Sequence, residues 1–384
     1  MAEMRVLVLW DGRADGSADG SVASEVPLNL ELLSALSGRF DDVLLVCRSR
    51  GHRVLRHVNR IVPAIAVHHA GGWEGRPSIA DVQRAWREFR RLIRPEDLVF
   101  VVGPGVLAAV GAAAATCSGV DRERIVYLVN SFPSQSLSER RKRRGATLVD
   151  VVAARLLDGF TAQLVGKLIV VSGALARRRK DCMVMPEIQW AELKSAINSY
   201  ESGYRSPGPR RASSVLFVGR LEPEKGALVL ARVASRIKGL ESITFIGEGA
   251  DRESIEAATR QLGQRVRFIG AATRLEVYSE MLRSEVAVVP STTEGFGLVA
   301  FEASVLGAVI VAADVGGLRE AVADRPVIWW AGDEETLGTR IDRALEVAAR
   351  LDGRTRVTEP RELERIAATR GWETAQTIAA LYSD

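Results

Sequence analysis

Short runs of β-branched and aliphatic residues recur along this chain, each followed by a stretch of helical periodicity, and this alternation restricts the fold more than any other feature. It is the pattern of parallel sheets with crossover helices on both faces. In the first half it predicts strands at Met4–Leu9, Val43–Cys47, Ala64–His68, Leu98–Val102, Ile125–Val129 and Leu168–Val171, with helices near Leu28–Leu36 and Ile79–Leu92. In the second half strands are predicted at Val215–Val218, Ile243–Ile246, Val266–Ile269, Val286–Val289, Val309–Ala312 and Pro326–Trp329. Between the halves, residues 201–213 are rich in Gly, Pro and Ser, the composition of a linker. The expected fold class is therefore α/β, two Rossmann-like doubly wound parallel-sheet domains facing a cleft, at residues 1–200 and 214–384. The final helix is expected to return to the first domain.

Composition adds exclusions. A formal net charge of +4 gives no reason to expect a nucleic acid partner. Cys47, Cys117 and Cys182 are far apart and unpaired in spacing, which argues against a disulfide framework or a zinc site and favours a reducing cytoplasm. Leu98–Gly119 carries no charge and is long enough to span a bilayer, but Gly103-Pro104-Gly105 divides it into a buried strand and an alanine-rich helix. The apolar run at Val6–Trp10 is too short for a secretory signal, so the chain is expected to begin at or near Met1.

The residues richest in chemistry are Pro290-Ser-Thr-Thr-Glu294-Gly295-Phe296-Gly297-Leu298-Val-Ala-Phe-Glu302. A buried strand ends at Pro290, a loop follows, and a helix opens at Leu298. Free N–H groups at a helix N-terminus attract an anion, and the glycines permit close approach to backbone. Glu294 in the loop can accept hydrogen bonds from sugar hydroxyls, and Glu302 on the second helical turn can take vicinal hydroxyls such as those of a ribose. Gly219-Arg220-Leu-Glu-Pro-Glu-Lys225-Gly226 also follows a strand, with two cations in one loop suited to a diphosphate. Gly247 sits after the next strand.

Glu294 and Glu302 resemble the Glu-x7-Glu signature of retaining glycosyltransferases of the GT-B fold, most closely family 4. Gly219–Gly226, Ile246-Gly247-Glu-Gly249, Val266–Gly270, Gly316-Gly317-Leu-Arg-Glu320 and Gly371-Trp372-Glu373 agree with it, so the resemblance is dense from about Ser214 onward. It implies transfer of a sugar from a nucleotide-diphosphate sugar to a hydroxyl acceptor with retention at the anomeric carbon. The acceptor is a small molecule, a glycan or a lipid-linked molecule. Arg220, Lys225 and the N–H groups near Gly297 and Leu298 would hold the leaving diphosphate, so neither cofactor nor metal is expected. The two glutamates belong to donor binding rather than to a hydrolase acid/base pair.

In the first half, the stretch Asp11–Ser21 reads as a glycine-rich loop whose Gly20 can approach the diphosphate, or as a plain surface loop. Where the family commonly places a sugar-contacting histidine, this chain has Asn130-Ser-Phe-Pro. That departure keeps two alternatives open: a catalytically silent GT-B subunit, and a GT-B enzyme of another reaction such as nucleotide-sugar epimerisation or pseudo-glycosyl coupling. The basic runs Arg140–Arg144 and Arg177–Lys180 read as solvated helix faces or as docking sites for anionic lipid or an acidic acceptor, which would place a cytoplasmic protein at the inner face of a membrane. His68-His69, adjacent on a strand, face opposite ways and cannot share a metal. Trp329-Trp330 reads as a strand end packing inward.

Overall fold

The computed structural model describes residues 5–16, 22–24, 30–48, 65–69, 78–103, 106–129, 147–176, 182–201, 210–322, 325–351, 357–372, 374 and 377. Their contacts group into two units, Met1–Glu187 with Gly371–Asp384, and Ile188–Arg370.

The first unit holds β1 (Val6–Gly16), β2 (Val22–Ser24), α1 (Leu30–Ser37), β3 (Val43–Arg48), β4 (Ile65–His69), α2 (Ile79–Leu92), β5 (Leu98–Val102) and α3 (Val106–Cys117). It continues with β6 (Ile125–Val129), α4 (Leu148–Leu164), β7 (Lys167–Val170), α5 (Gly173–Ala176) and β8 (Cys182–Val184). The sheet runs β4-β3-β1-β5-β6-β7-β8, all parallel, with β2 added antiparallel to β1. Val6, Val8, Trp10, Phe100 and Leu128 fill its core, so the runs that looked buried on both faces are so. Arg5 clamps the start of the central pair: its Nε and Nη2 donate to the fully buried Asp97 carboxylate at 3.0 and 2.7 Å.

One expectation is corrected here. The stretch read as a loop from Asp11 continues β1 to Gly16, because Ala14, Asp15 and Gly16 pair with Ser24, Ala23 and Val22 in a hairpin. Its tip, including Gly20, lies outside the described residues, as do Asn130, Arg140–Arg144 and Arg177–Lys180. The strand–turn–helix reading of Leu98–Gly119 matches β5 followed by α3. Among the described residues, no helix is long and apolar enough to cross a membrane.

The second unit holds α6 (Trp190–Glu201), β9 (Ser214–Val218), α7 (Ala227–Val233), β10 (Ser242–Ile246), α8 (Arg252–Thr259), β11 (Val266–Ile269), α9 (Arg274–Arg283) and β12 (Val286–Val289). After these come α10 (Leu298–Val305), β13 (Val309–Ala313), α11 (Leu318–Ala321), β14 (Val327–Trp330), α12 (Glu334–Arg350) and α13 (Pro360–Arg370). Its six parallel strands run β11-β10-β9-β12-β13-β14. Both sheets are Rossmann-like, and the GT-B expectation holds for the architecture of each. The second-half strands match their predicted spans to within a residue at each end, because apolar residues dominate each run and a turn residue follows it.

The boundary between the units lies at Glu187–Ile188 rather than at residue 200. Helix α6 packs on α9 and α13, both in the second unit, and Lys194 on α6 pairs with Glu364 on α13 at 2.9 Å. Its allegiance is set by those contacts, while the Gly/Pro/Ser composition marks only the chain after it. The far end of the expected linker is also part of the second unit. Arg211 Nη1 and Nη2 donate to the buried Glu280 carboxylate at 2.6 and 3.2 Å, and Arg267 Nη1 approaches it at 3.3 Å.

Burial works to raise the Glu280 carboxyl, and the hydrogen bond and charge of Arg211, with Arg267 and Arg283 behind it, outweigh that and hold it below its ordinary value. A depressed carboxylate adds stability that is complete above its unfolded value, about 4.3, and is lost as pH falls through its folded value. The expected result is that Glu280→Gln destabilises the second unit at pH 7 by about 3 kcal/mol. The gap from wild type should narrow below about pH 4. Denaturant titration at a series of pH values measures it, and a pH-independent gap contradicts it.

Candidate functional site

In a doubly wound sheet, a crevice opens beyond the carboxyl ends of the two strands at which the strand order reverses. In the second unit that reversal lies between β9 and β12. The two loops with the strongest chemical signal, 219–226 and 290–297, are the ones that leave these strands.

The loop after β9 is short and held at both ends. Gly219 N donates to Ile246 O at 3.0 Å and Leu221 N to Glu248 O at 2.8 Å, tying it to the loop after β10. Residues Pro223–Lys225 form one 3-10 turn, with Pro at its first position, and Gly226 closes it in the left-handed region at φ 73°. Thr292 N donates to Glu224 O at 2.8 Å, joining this turn to the loop after β12. Two glycines are required by the loops themselves. A Cβ on Gly226 would lie 2.2 Å from Pro290 O, and one on Gly247, at φ 133°, would lie 2.0 Å from Gly219 O. Gly247, a donor-binding candidate by its place after a strand, also lets the Gly219 backbone approach closely.

Lys225 and Glu294, expected to serve phosphate and sugar separately, are bonded to each other. Lys225 Nζ donates to Glu294 Oε1 at 2.6 Å, and Ser291 Oγ donates to the same oxygen at 2.9 Å. Both charged side chains are largely buried, at 25% and 14% exposure. Such a pair keeps the lysine ammonium fixed before a ligand arrives. Arg220 differs: its Nη2 reaches Glu224 Oε1 at 3.0 Å from a side chain that is 57% exposed. It is an exposed, paired cation at the loop's rim, where water screens the pair.

Helix α10 begins at Leu298 on Gly297, which has φ 101° and brings no capping side chain. Its first turn therefore presents N–H groups without a side-chain acceptor from the cap residue, and the helix macrodipole adds partial positive charge there. Gly295 lies in the turn before it, and Phe296 is buried against Phe301, with ring centroids 6.1 Å apart.

Glu302 belongs to a second cluster. It is 5% exposed, and its Oε1 accepts from Arg274 Nη1 at 2.9 Å and from Tyr278 Oη at 3.0 Å, both on α9. Arg274 Nε donates in turn to Glu192 Oε2 on α6 at 2.8 Å. Burial pushes the Glu302 carboxyl up, with Arg274 and Tyr278 working against the shift. Burial, and then the neighbouring Glu302 charge, push the Tyr278 hydroxyl far up, so it is a donor at any working pH.

Arg274, Tyr278, Glu192 and Ser291 were not anticipated from the sequence. The one local signal was the capping box that starts α9, where Thr273 Oγ1 and the Glu276 side chain satisfy each other's backbone N–H. Of the aromatic pair, Trp330 is buried and its Nε1 donates to Asp333 O at 2.6 Å, whereas Trp329 lies under the Arg319 guanidinium, 4.8 Å from its ring centroid. Among the described residues, no cluster of three His, Cys, Asp or Glu side chains is placed to hold a metal ion.

Residues 207–356, the stretch holding both clusters except Glu192, match the family model described as Glycosyl transferases group 1. The chain is 35% identical over 192 residues to D-inositol 3-phosphate glycosyltransferase 2 of Catenulispora acidiphila, covering 46% of this chain and 44% of that one. It is 28% identical over 196 residues to glycogen synthase of Mycobacterium tuberculosis, covering 49% and 46%. The chain thus spans less than half the length of these curated relatives. Among solved structures, sucrose-phosphate synthase from Thermosynechococcus elongatus superposes with a TM-score of 0.72 at 19% identity, covering 99% of this chain and 98% of that one. Anabaena HepE in complex with UDP-glucose superposes with a TM-score of 0.60 at 17% identity, covering 95% and 100%. These likenesses establish the two-domain fold.

Proposed function

We propose, from the premise that residues 207–356 form a group 1 glycosyl transferase domain, that the chain moves a sugar from a nucleotide-diphosphate sugar to an acceptor hydroxyl with retention. The observation that carries this is the largely buried Lys225–Glu294 pair on the loops that flank the β9/β12 reversal, with the uncapped start of α10 ending the second of those loops. As the glycosidic bond breaks, negative charge grows on the departing diphosphate, and a cation already fixed in place stabilises it without reorganisation. Lys225, Arg220 and the N–H groups at Gly297 and Leu298 fill that role, so turnover is expected to need no divalent ion. Glu294, its Oε1 bound to Lys225, keeps Oε2 for sugar hydroxyls, and Glu302 serves the ribose. That HepE was solved with UDP-glucose makes UDP-sugars the first donors to try.

The test is release of nucleoside diphosphate from UDP-, GDP- and dTDP-hexoses, with and without EDTA, and the anomeric configuration of the product by NMR. An inverted product overturns retention. Release that EDTA abolishes overturns metal independence. Asn130, which stands in sequence where the family commonly places a sugar-contacting histidine, is tested in the same assay as Asn130→Ala.

Peripheral contact with an anionic lipid surface belongs to the same reading. Of the eight large apolar side chains exposed among the described residues, five lie on α4: Leu148, Val149, Val152, Leu156 and Phe160. Val149, Val152, Leu156 and Phe160 recur at helical spacing on one face, and in sequence the helix follows Arg140–Arg144 after three residues. The expected result is that wild type sediments with vesicles containing phosphatidylglycerol and that Val152→Asp with Leu156→Asp abolishes it. Equal sedimentation of the two proteins contradicts the assignment.

A further inference from the structure

The buried carboxylate of Glu302 is held from a side that no part of the family motif covers. A carboxylate this deeply placed is costly unless charge and hydrogen bonds meet it. Here both come from one helix face: Arg274 and Tyr278 stand four residues apart on α9 and both reach Oε1. The register of that face is fixed from outside, because Thr273 and Glu276 lock the first turn of α9 in a capping box. Arg274 is fixed again by Glu192 on α6, at 2.8 Å from its Nε. All these residues lie in one unit.

We propose that Arg274 is a positioning residue for nucleotide recognition: with Glu192 behind it, it holds Glu302 by Oε1 so that Oε2 is turned to the vicinal hydroxyls of the nucleotide ribose. The inference rests on the nucleotide-sugar reading. Arg274 acts through Glu302 and need not touch the ligand, since its Nε and Nη1 are already given to two carboxylates. The pairing also opposes the upward push of burial on the Glu302 carboxyl. A protonated acid would offer a ribose diol one good acceptor fewer. A guanidinium suits the task better than an ammonium, because its planar fork bonds two carboxylates at once without turning.

The experiment is calorimetry of UDP and GDP, each against its 2′-deoxy form, on wild type, Arg274→Met, Arg274→Lys and Glu192→Gln. Wild type is expected to prefer the ribonucleotide by about tenfold, the worth of one good hydrogen-bonded contact. Arg274→Met should remove that preference, lowering ribonucleotide affinity about tenfold while leaving the 2′-deoxy form within about twofold. Arg274→Lys should recover part of it, and Glu192→Gln should lose part of it. A purely structural role would weaken both forms together, and that result overturns the proposal, as does a preference that survives in Arg274→Met. Should Arg274→Met fail to fold, an unchanged preference in both Arg274→Lys and Glu192→Gln overturns it equally. Wild type that binds neither diphosphate overturns the nucleotide-sugar reading itself, which is a distinguishable result.

Discussion

Lys225→Ala is expected to lower turnover by about 10²- to 10³-fold, the range for loss of one preorganised donor to a developing oxyanion. Folding should be nearly intact. The two effects separate because the lysine is bonded to Glu294 at 2.6 Å on side chains that keep 25% and 14% exposure, so water screens part of the pair and its worth to stability is about 1 kcal/mol. Against a diphosphate bearing new negative charge, the same ammonium is worth about 3 kcal/mol of barrier. Glu294 retains Ser291 as a donor when the lysine is gone, which limits the structural loss. Arg220→Ala should follow in direction with a smaller loss, because its guanidinium is 57% exposed. Turnover of Lys225→Ala within threefold of wild type, in an assay with the best donor found, removes the phosphate-clamp assignment.

A loss of stability as large as that of Glu280→Gln is expected from Gly247→Ala. At φ 133° an alanine is strained in any surroundings, and its Cβ would sit 2.0 Å from Gly219 O, a backbone atom with no rotamer by which to retreat. Backbone strain of about 1 to 2 kcal/mol and overpacking of about 1 to 3 kcal/mol combine to an expected loss of about 3 kcal/mol. Because Gly219 opens the cationic loop, displacement of its carbonyl also shifts Arg220, and donor affinity should fall in the protein that still folds. Chemical denaturation with a nucleotide titration measures both. A stability change under about 1 kcal/mol would show that the two loops separate freely.

The sheets were legible in the sequence because strands buried on both faces are continuous apolar runs, and Val286–Val289 or Val309–Ala313 can be read directly. The β1–β2 hairpin was not legible, since Asp, Gly and Ala carry no strand signal and it is cross-strand pairing that makes Ala14–Gly16 extended. The place of α6 was hidden for a related reason: a helix joins the unit it packs on, and the contacts with α9 and α13 lie far away in sequence. At the site, the strand-to-helix loops disclosed Lys225, Glu294 and Glu302 as chemistry. What they bond to was beyond local reading. The Lys225–Glu294 bond spans 69 positions and the Arg274–Glu302 bond 28, and both depend on strand order rather than on spacing. The loop-to-loop approach at Gly247 was equally hidden, because its partner Gly219 is fixed by strand order rather than by spacing.

The measurement that tests the central claim most directly is a crystal structure of the protein with the nucleoside diphosphate it binds best. The account predicts the diphosphate against the N–H groups of Gly297 and Leu298 with Lys225 Nζ in hydrogen-bond reach, and the ribose hydroxyls on Glu302. A nucleotide bound away from the 219–226 and 290–302 segments would contradict it.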